Sequence, residues 1–144
     1  MTRSHTEALV FNYYQAFNQG DMNAFLALLS DDVIHDINQG ERETGREAFA
    51  RFMARMNHHY RETLKDIVIL SSPDGERAAA EFVVHGEYLA SDEGLPAAYG
   101  QGYVLPAGAF FDIQNGKIAR VSNYYNLDDW IRQVTAAALE DGVV

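Results

Sequence analysis

Four side chains with acid–base or hydrogen-bonding chemistry stand out in the N-terminal part of the sequence: Tyr13, Tyr14, His35 and Asp36. His35 is the candidate general base, because an unperturbed histidine titrates near neutrality. Tyr13 or Tyr14 would polarise a carbonyl or hydroxyl group of a substrate. Together with Asp36, a second candidate base, these groups suit enolisation, dehydration or a related proton transfer.

Each of these side chains also has a structural role open to it. A lone histidine on a half-buried strand often lies in the core with its hydrogen bonds satisfied. A tyrosine on a helix packs its ring and sends its hydroxyl to solvent or to the backbone. Both interpretations stay open for His35, Tyr13 and Tyr14, and they depend on whether the fold encloses a cavity that these side chains reach.

The sequence lacks the residues of several other kinds of site. It contains no cysteine, which excludes disulfides, thiolate metal ligands and cysteine nucleophiles. No HExxH motif points to a metal, and no G-x-S-x-G motif marks a serine nucleophile. Gly100 and Gly102 lead into a predicted strand, whereas a phosphate-binding loop leads into a helix. We therefore expect no metal and no cofactor.

The charge of the chain argues against nucleic acid as a partner. The formal net charge is −10 and acidic residues are spread along the sequence, so the surface repels a phosphate backbone. No apolar segment has the length of a signal peptide at the N-terminus or of a membrane span elsewhere. At 144 residues the chain fits one domain, residues 1–144. We expect a cytoplasmic protein without a membrane partner.

Helical periodicity and capping signals mark three segments in the first half of the chain. Ser4 and Glu7 have the spacing of a capping box, which predicts the start of a first amphipathic helix. Asp21 is the predicted N-cap of a short second helix. A second capping box, Thr44 with Glu47, predicts a third helix with one apolar stripe.

The other segments alternate as strands do. A short β-prone segment at 33–37 predicts a first strand, followed by a loop. Turn signals at 73–75 and 115–116 join later strands as antiparallel hairpins, and Asn126 is the predicted N-cap of a last helix. Helices gathered on one face of an antiparallel sheet make an α+β fold. The predicted hairpin strands are 64–70, 77–89, 99–113 and 117–125.

Several longer runs of the sequence resemble a known superfamily. They are YYQAFNQGD at 13–21, LLSDDV at 28–33, GREA at 45–48 and FDIQNGKI at 111–118. These runs resemble the nuclear-transport-factor-2-like superfamily and its polyketide-cyclase-like branch. The runs VIHDINQG at 33–40 and RAAAEFVVHG at 77–86 are similar to a bacterial group described as ketosteroid-isomerase-related. The resemblance covers nearly the whole chain.

The resemblance implies a cone-shaped fold, in which a strongly curved antiparallel or mixed sheet, three N-terminal helices and a short C-terminal helix enclose a cavity. Ketosteroid isomerase uses a tyrosine, an aspartate base and a protonated aspartate. Matching the motifs puts the tyrosine on Tyr13, with Tyr14 next to it, and the base on Ile37. A one-residue shift reverses the face of a strand, so Asp36 replaces the base only if a bulge or strand end re-aims it. His35 faces the cavity as Ile37 does.

The other isomerase position has no acid in this sequence. The match puts the protonated aspartate on Ala109, or on Gly108 if the turn length differs, and neither side chain donates a hydrogen bond. Asn126 stands where the cyclase-like branch often has an aspartate. Steroid isomerisation by that mechanism is therefore not supported.

The resemblance also implies a small, mostly apolar ligand. Two functions stay open: cofactor-free isomerisation, dehydration or cyclisation of a carbonyl or hydroxyl compound, and binding or assembly without catalysis. Members of the superfamily commonly pair through the outer sheet face, so we expect a homodimer. That face is expected to carry Glu81, Val83, His85 and Glu87. Besides the four acid–base candidates, the residues expected to contact the ligand are Phe17, Asn38, Phe52, Met56, Phe82, Tyr103, Asn123 and Tyr125.

Overall fold

The order of the elements comes from a computed structural model, which describes residues 2–38 and 40–140. Within these residues the chain forms four helices and six strands. The helices are α1 Arg3–Gln19, α2 Met22–Ala27, α3 Arg46–His59 and α4 Leu127–Glu140. The strands are β1 Leu29–Asp36, β2 Arg42–Thr44, β3 Tyr60–Ser71, β4 Arg77–Tyr88, β5 Gly102–Gln114 and β6 Lys117–Tyr125. The predicted order is confirmed, and β2 is a short additional strand within the predicted loop.

The strands form one curved mixed sheet in the order β2-β1-β6-β5-β4-β3. Strands β3 to β6 are the predicted antiparallel meander, β1 runs parallel to β6, and β2 pairs antiparallel with β1. The sheet is not closed. Helix α1 packs across β3 and β4 and helix α3 packs against β1, so the helices cover the concave face. This is the α+β architecture that the resemblance implies.

A bulge in β3 contributes to the curvature. The pairing of β3 with β4 shifts between Lys65 and Val68, where two residues oppose Phe82. The first of them, Asp66, has a φ of 55°, in the left-handed region that aspartate tolerates better than most residues. A bulge bends its strand and increases the local twist, which here turns β3 around the concave face.

Alternation along β4 separates the two faces of the sheet. Phe82 and Val84 are buried on the concave side, whereas Glu81 and Glu87 are exposed on the outer side. His85 lies on the outer face with them, four residues after Glu81 and two before Glu87, as the sequence predicted. The side chains that can meet a ligand are therefore those on the even-numbered positions of this strand.

Two of the predicted helix starts need correction. Helix α1 is capped by Thr2, whose hydroxyl accepts from the His5 N–H at 3.1 Å, and Ser4 lies inside the helix. Helix α3 follows Gly45, which has no side chain to cap it, while Thr44 is the last residue of β2. In both cases the capping-box spacing is present, but the residue that precedes the helix is a different one. It lies two residues before Ser4 in α1 and one residue after Thr44 in α3.

Candidate functional site

A cavity of about 690 Å³ lies between the concave face and the helices. Asp36 and Tyr103 are not part of its wall in the described part of the chain. The other predicted site residues do line it: Tyr13, Tyr14, Phe17, His35, Asn38, Phe52, Met56, Phe82, Asn123 and Tyr125. Face periodicity and the resemblance together thus locate most of the wall.

His35 points to the concave side of β1 and is 2% exposed. Its ring stacks on Phe49, with 4.0 Å between centroids, and meets Phe52 edge-on at 4.7 Å. The amide nitrogen of Asn123 donates to Nε2 at 3.3 Å, so the proton of the neutral ring sits on Nδ1. That nitrogen is buried and has no hydrogen-bond partner among residues 2–38 and 40–140.

The aromatic surroundings keep His35 uncharged. Burial lowers the pKa of His35 to about 4, and the nearby carboxylate of Asp36 only partly offsets this effect. A general base works best when its pKa lies near the working pH. His35 is therefore a weaker base than the sequence suggests, and its neutral ring acts as a hydrogen-bonding group that orients Asn123.

Tyr13 and Tyr14 both reach the cavity from helix α1. Their rings meet edge-on at 5.0 Å, and both rings pack edge-on against Phe111. Burial raises the pKa of both hydroxyls, so both are neutral phenols. The Tyr14 hydroxyl is buried without a hydrogen-bond partner in the described residues. The two tyrosines therefore form a packed part of the wall that holds one unsatisfied polar atom.

Asp36 lies on the outer face, and the role of second base does not fit this position. The Arg42 guanidinium donates from Nε to Oδ1 at 2.6 Å, and the Ser122 hydroxyl donates to Oδ2 at 2.5 Å. The hydrogen bond from Arg42 is the main reason why the pKa of Asp36 is lowered. Asp36 is the last residue of β1, but it still pairs regularly with Arg42 of β2 and Ser122 of β6, so neither the strand end nor a bulge re-aims its carboxylate.

Glu62 is a site residue that the sequence analysis missed. It lines the cavity from β3, and the Tyr103 hydroxyl donates to its Oε2 at 2.5 Å. Burial raises the pKa of Glu62, and the hydrogen bond from Tyr103 acts in the opposite direction. The neighbouring Arg61 lies on the other face, 3.7 Å from Glu87. Tyr103, expected to contact the ligand, instead holds the carboxyl that does line the cavity.

The position of Glu62 follows from where β3 begins. The prediction starts this strand at residue 64, which leaves Glu62 outside it. In the structure β3 begins at Tyr60, and alternation then puts Glu62 on the same face as the buried Leu64. Extending the alternating pattern backwards from Leu64 would have found this carboxyl.

A second carboxylate reaches the wall from the connection between β4 and β5. Asp92 accepts from the Tyr60 hydroxyl at 2.9 Å, and Nε2 of His59 lies 3.8 Å from its other oxygen. The Tyr88 hydroxyl ties this connection down, because it accepts from the Asp92 N–H and donates to the Pro96 carbonyl. This side of the cavity is thus fixed by hydrogen bonds.

The arrangement of helices, meander and cavity coincides with a family match. Residues 10–121, from α1 into β6, match the family model described as the SnoaL-like domain. The chain belongs to the SnoaL-like family. The resemblance to the polyketide-cyclase-like branch, drawn above from sequence runs, is thereby confirmed.

Three crystal structures are close to this SnoaL-like chain. A protein from Pseudomonas putida KT2440, described as a candidate polyketide cyclase, is 68% identical, with a TM-score of 0.89 over 93% of this chain and 98% of that one. Its counterpart from Xanthomonas campestris pv. campestris is 59% identical, with a TM-score of 0.89 over 92% and 98%. That from Silicibacter sp. TM1040 is 51% identical, with a TM-score of 0.89 over 93% and 98%. No curated protein matches the sequence.

The SnoaL-like fold and these relatives support a cyclase-like, isomerase-like or ligand-binding function. Within residues 2–38 and 40–140, no group of three or more histidine, aspartate or glutamate side chains is placed to hold a metal ion. None of the helices in the described residues is long and apolar enough to cross a membrane. The polar side chains that line the cavity include carboxyls, phenols, the imidazole of His35 and several amides, among them those of Asn38 and Asn123.

Proposed function

We propose that the cavity binds a small, mostly apolar molecule and that the protein transfers a proton to or from a carbonyl or hydroxyl compound without a cofactor. The reaction class is isomerisation, dehydration or cyclisation. The observation that supports this proposal is the Glu62 carboxyl, which is half-buried in the cavity wall and held by Tyr103.

Glu62 is suited to move a proton because its two oxygens differ. Oε2 accepts from Tyr103, whereas Oε1 has no hydrogen bond to the described residues and is not sealed from the cavity as the Tyr14 hydroxyl is. Burial raises its pKa towards neutrality, which is how enzymes adapt a carboxyl to acid–base work. Oε1 would then take a proton from a carbon or hydroxyl of the ligand and return it at a second position.

His35 and Asn123 have a different role in this proposal. The neutral imidazole accepts from the Asn123 amide and presents no charge to the ligand. These two residues hold the shape and polarity of the wall at β1 and β6. The general base that the sequence assigned to His35 is thereby assigned to Glu62.

Hydrogen–deuterium exchange tests the proposal. The parent and three variants would be incubated with simple enones and ketones in D₂O, and exchange next to the carbonyl would be followed by proton NMR. Glu62→Gln should slow exchange at least about a hundredfold, the usual contribution of a general acid or base. Glu87→Gln, the same change on the outer face, should exchange like the parent. His35→Ala should lose less than Glu62→Gln. If the parent catalyses exchange and Glu62→Gln exchanges deuterium at the same rate, the role of Glu62 is refuted.

Binding without catalysis is the second candidate, and one observation favours it. Nδ1 of His35 and the Tyr14 hydroxyl are both sealed and unpaired in the described part of the chain, so these two acid–base groups do not meet a ligand as they stand. Trp130, the chain's only tryptophan, lines the cavity, so its fluorescence reports binding. If adding ligands changes the tryptophan emission of the parent, but the parent exchanges no proton with any probe, the protein binds its ligand without catalysis.

A further inference from the structure

Gly86 occupies the centre of a row of three paired residues. It pairs with Glu62 on one side and with Tyr103 on the other, on strands β3 and β5. These two strands lie about 10 Å apart across β4. The hydrogen bond between Tyr103 and Glu62 therefore has to cross β4 over Gly86.

The space above Gly86 is filled by the Tyr103 ring. A Cβ placed on Gly86 would lie 2.5 Å from both Cε2 and the hydroxyl oxygen of Tyr103, far inside normal van der Waals contact. The backbone of Gly86 is not in the left-handed region, so its conformation would suit any residue. The glycine is thus required for space, as where another group closely approaches a strand.

Helix α4 closes the same arrangement from above. Trp130 meets the Tyr103 ring edge-on at 5.9 Å and the Tyr88 ring at 4.9 Å, and it is buried. The Tyr103 ring is therefore held between the glycine of β4 and the indole of α4. Its hydroxyl has little freedom to leave Glu62.

We propose that Gly86 is a positioning residue of the proton-transfer site: its missing side chain lets Tyr103 lie across β4 and hold the Glu62 carboxyl in the cavity wall. This inference rests on the role proposed for Glu62 above. Tyr103 acts through Glu62 and touches no ligand, and Gly86 acts through Tyr103.

The test measures the titration of Glu62 directly. Protein labelled with ¹³C at the glutamate side-chain carboxyls is titrated by NMR, and the Glu62 signal is assigned by its loss in Glu62→Gln. Tyr103→Phe removes a donor to the charged form, so the midpoint should rise by about one pH unit. Gly86→Ala displaces the ring and should shift the midpoint in the same direction. Gly102→Ala is the matched control, because its Cβ would lie 3.7 Å from the nearest atom, an ordinary contact.

An unchanged Glu62 midpoint in Gly86→Ala or in Tyr103→Phe would overturn the inference. If Gly86→Ala does not fold, the double variant Gly86→Ala/Tyr103→Ala tests the inference instead, because removing the Tyr103 ring makes room for the new methyl group. Adding Gly86→Ala to Tyr103→Ala should then cost much less stability than adding it to the parent, and equal costs would overturn the inference.

The titration needs no substrate. Shifted midpoints without turnover would refute only the proposed function, and turnover with unshifted midpoints would refute only this inference.

Discussion

His35→Phe should remove a pH-dependent loss of stability from the protein. In the folded chain burial lowers the pKa of His35 to about 4, against 6.5 for an ordinary histidine. Between these two values the unfolded chain binds a proton that the folded chain excludes, so the free energy of unfolding decreases as the pH falls. Phenylalanine in this place stacks on Phe49 and has no proton to bind.

The size of the effect follows from the two pKa values. The full difference between the pKa of His35 in the folded and in the unfolded chain corresponds to roughly 3 kcal/mol in the free energy of unfolding. Between pH 7 and pH 5 the folded state stays neutral while the unfolded state becomes charged, and about 2 kcal/mol is lost. Because the side chain is only 2% exposed, solvent screening does little to reduce this figure.

Urea unfolding at pH 7, 6 and 5 measures the effect, with circular dichroism and Trp130 fluorescence as probes. The parent should lose about 2 kcal/mol more than His35→Phe between pH 7 and pH 5. Carboxylates whose pKa is lowered, such as Asp36 and Asp112, lose their stabilising effect at more acid pH and cancel in the difference. His85→Phe, on the outer face, controls for loss of a histidine elsewhere. A difference between parent and His35→Phe that stays constant across this range would refute the reasoning.

Three further outcomes are expected. Asp36→Asn should lower the free energy of unfolding by about 1 kcal/mol, because its bonds from Arg42 weaken, and should leave ligand-induced changes in tryptophan fluorescence intact. Tyr14→Phe removes a buried, unpaired hydroxyl and should raise the free energy of unfolding by about 1 kcal/mol in urea titrations. We expect the outer face to pair two copies, since Phe110 and Tyr124 are each 49% exposed there and pack edge-on at 5.7 Å; Phe110→Asp should then yield monomers by light scattering, and a monomeric parent would contradict this.

Local signals in the sequence were sufficient for most of the fold. Asp21 and Asn126 cap the helices that they were predicted to cap, since their side chains accept from the N–H three residues on. The capping boxes failed at Ser4 and Thr44 because the spacing of a capping box also occurs by chance within a helix or across a strand end. Strand β2 has three residues, too few for a periodic pattern.

The sequence predicted those site side chains whose position depends on a single helix or strand. It did not predict properties that depend on contacts between two segments of the chain. The faces of α1 and β1 follow from periodicity, so Tyr13 and His35 were placed in the wall. Asp92 reaches the cavity only because Tyr60 and Tyr88 hold its loop there. The low pKa of His35 likewise depends on rings from α3, which the sequence of β1 does not contain.

The two carboxyl positions of the isomerase are apolar in this chain, yet the cavity keeps an acid beside a tyrosine. The acid now comes from β3, and its tyrosine comes from β5. Across the sheet, Glu62 is in line with Tyr103 of β5, and Asn123 pairs with Ala109 of β5. These two residues of β5 are six positions apart, which corresponds to about 20 Å along the strand. His35 and Glu62 line the same cavity, but these pairings lie apart along β5, so we expect the two side chains to contact different parts of the ligand. If Glu62 moves the proton, the reacting carbon lies at the α4 end of the cavity and His35 meets another part of the ligand, so the effects of His35→Ala and Glu62→Gln on exchange should be additive in free energy.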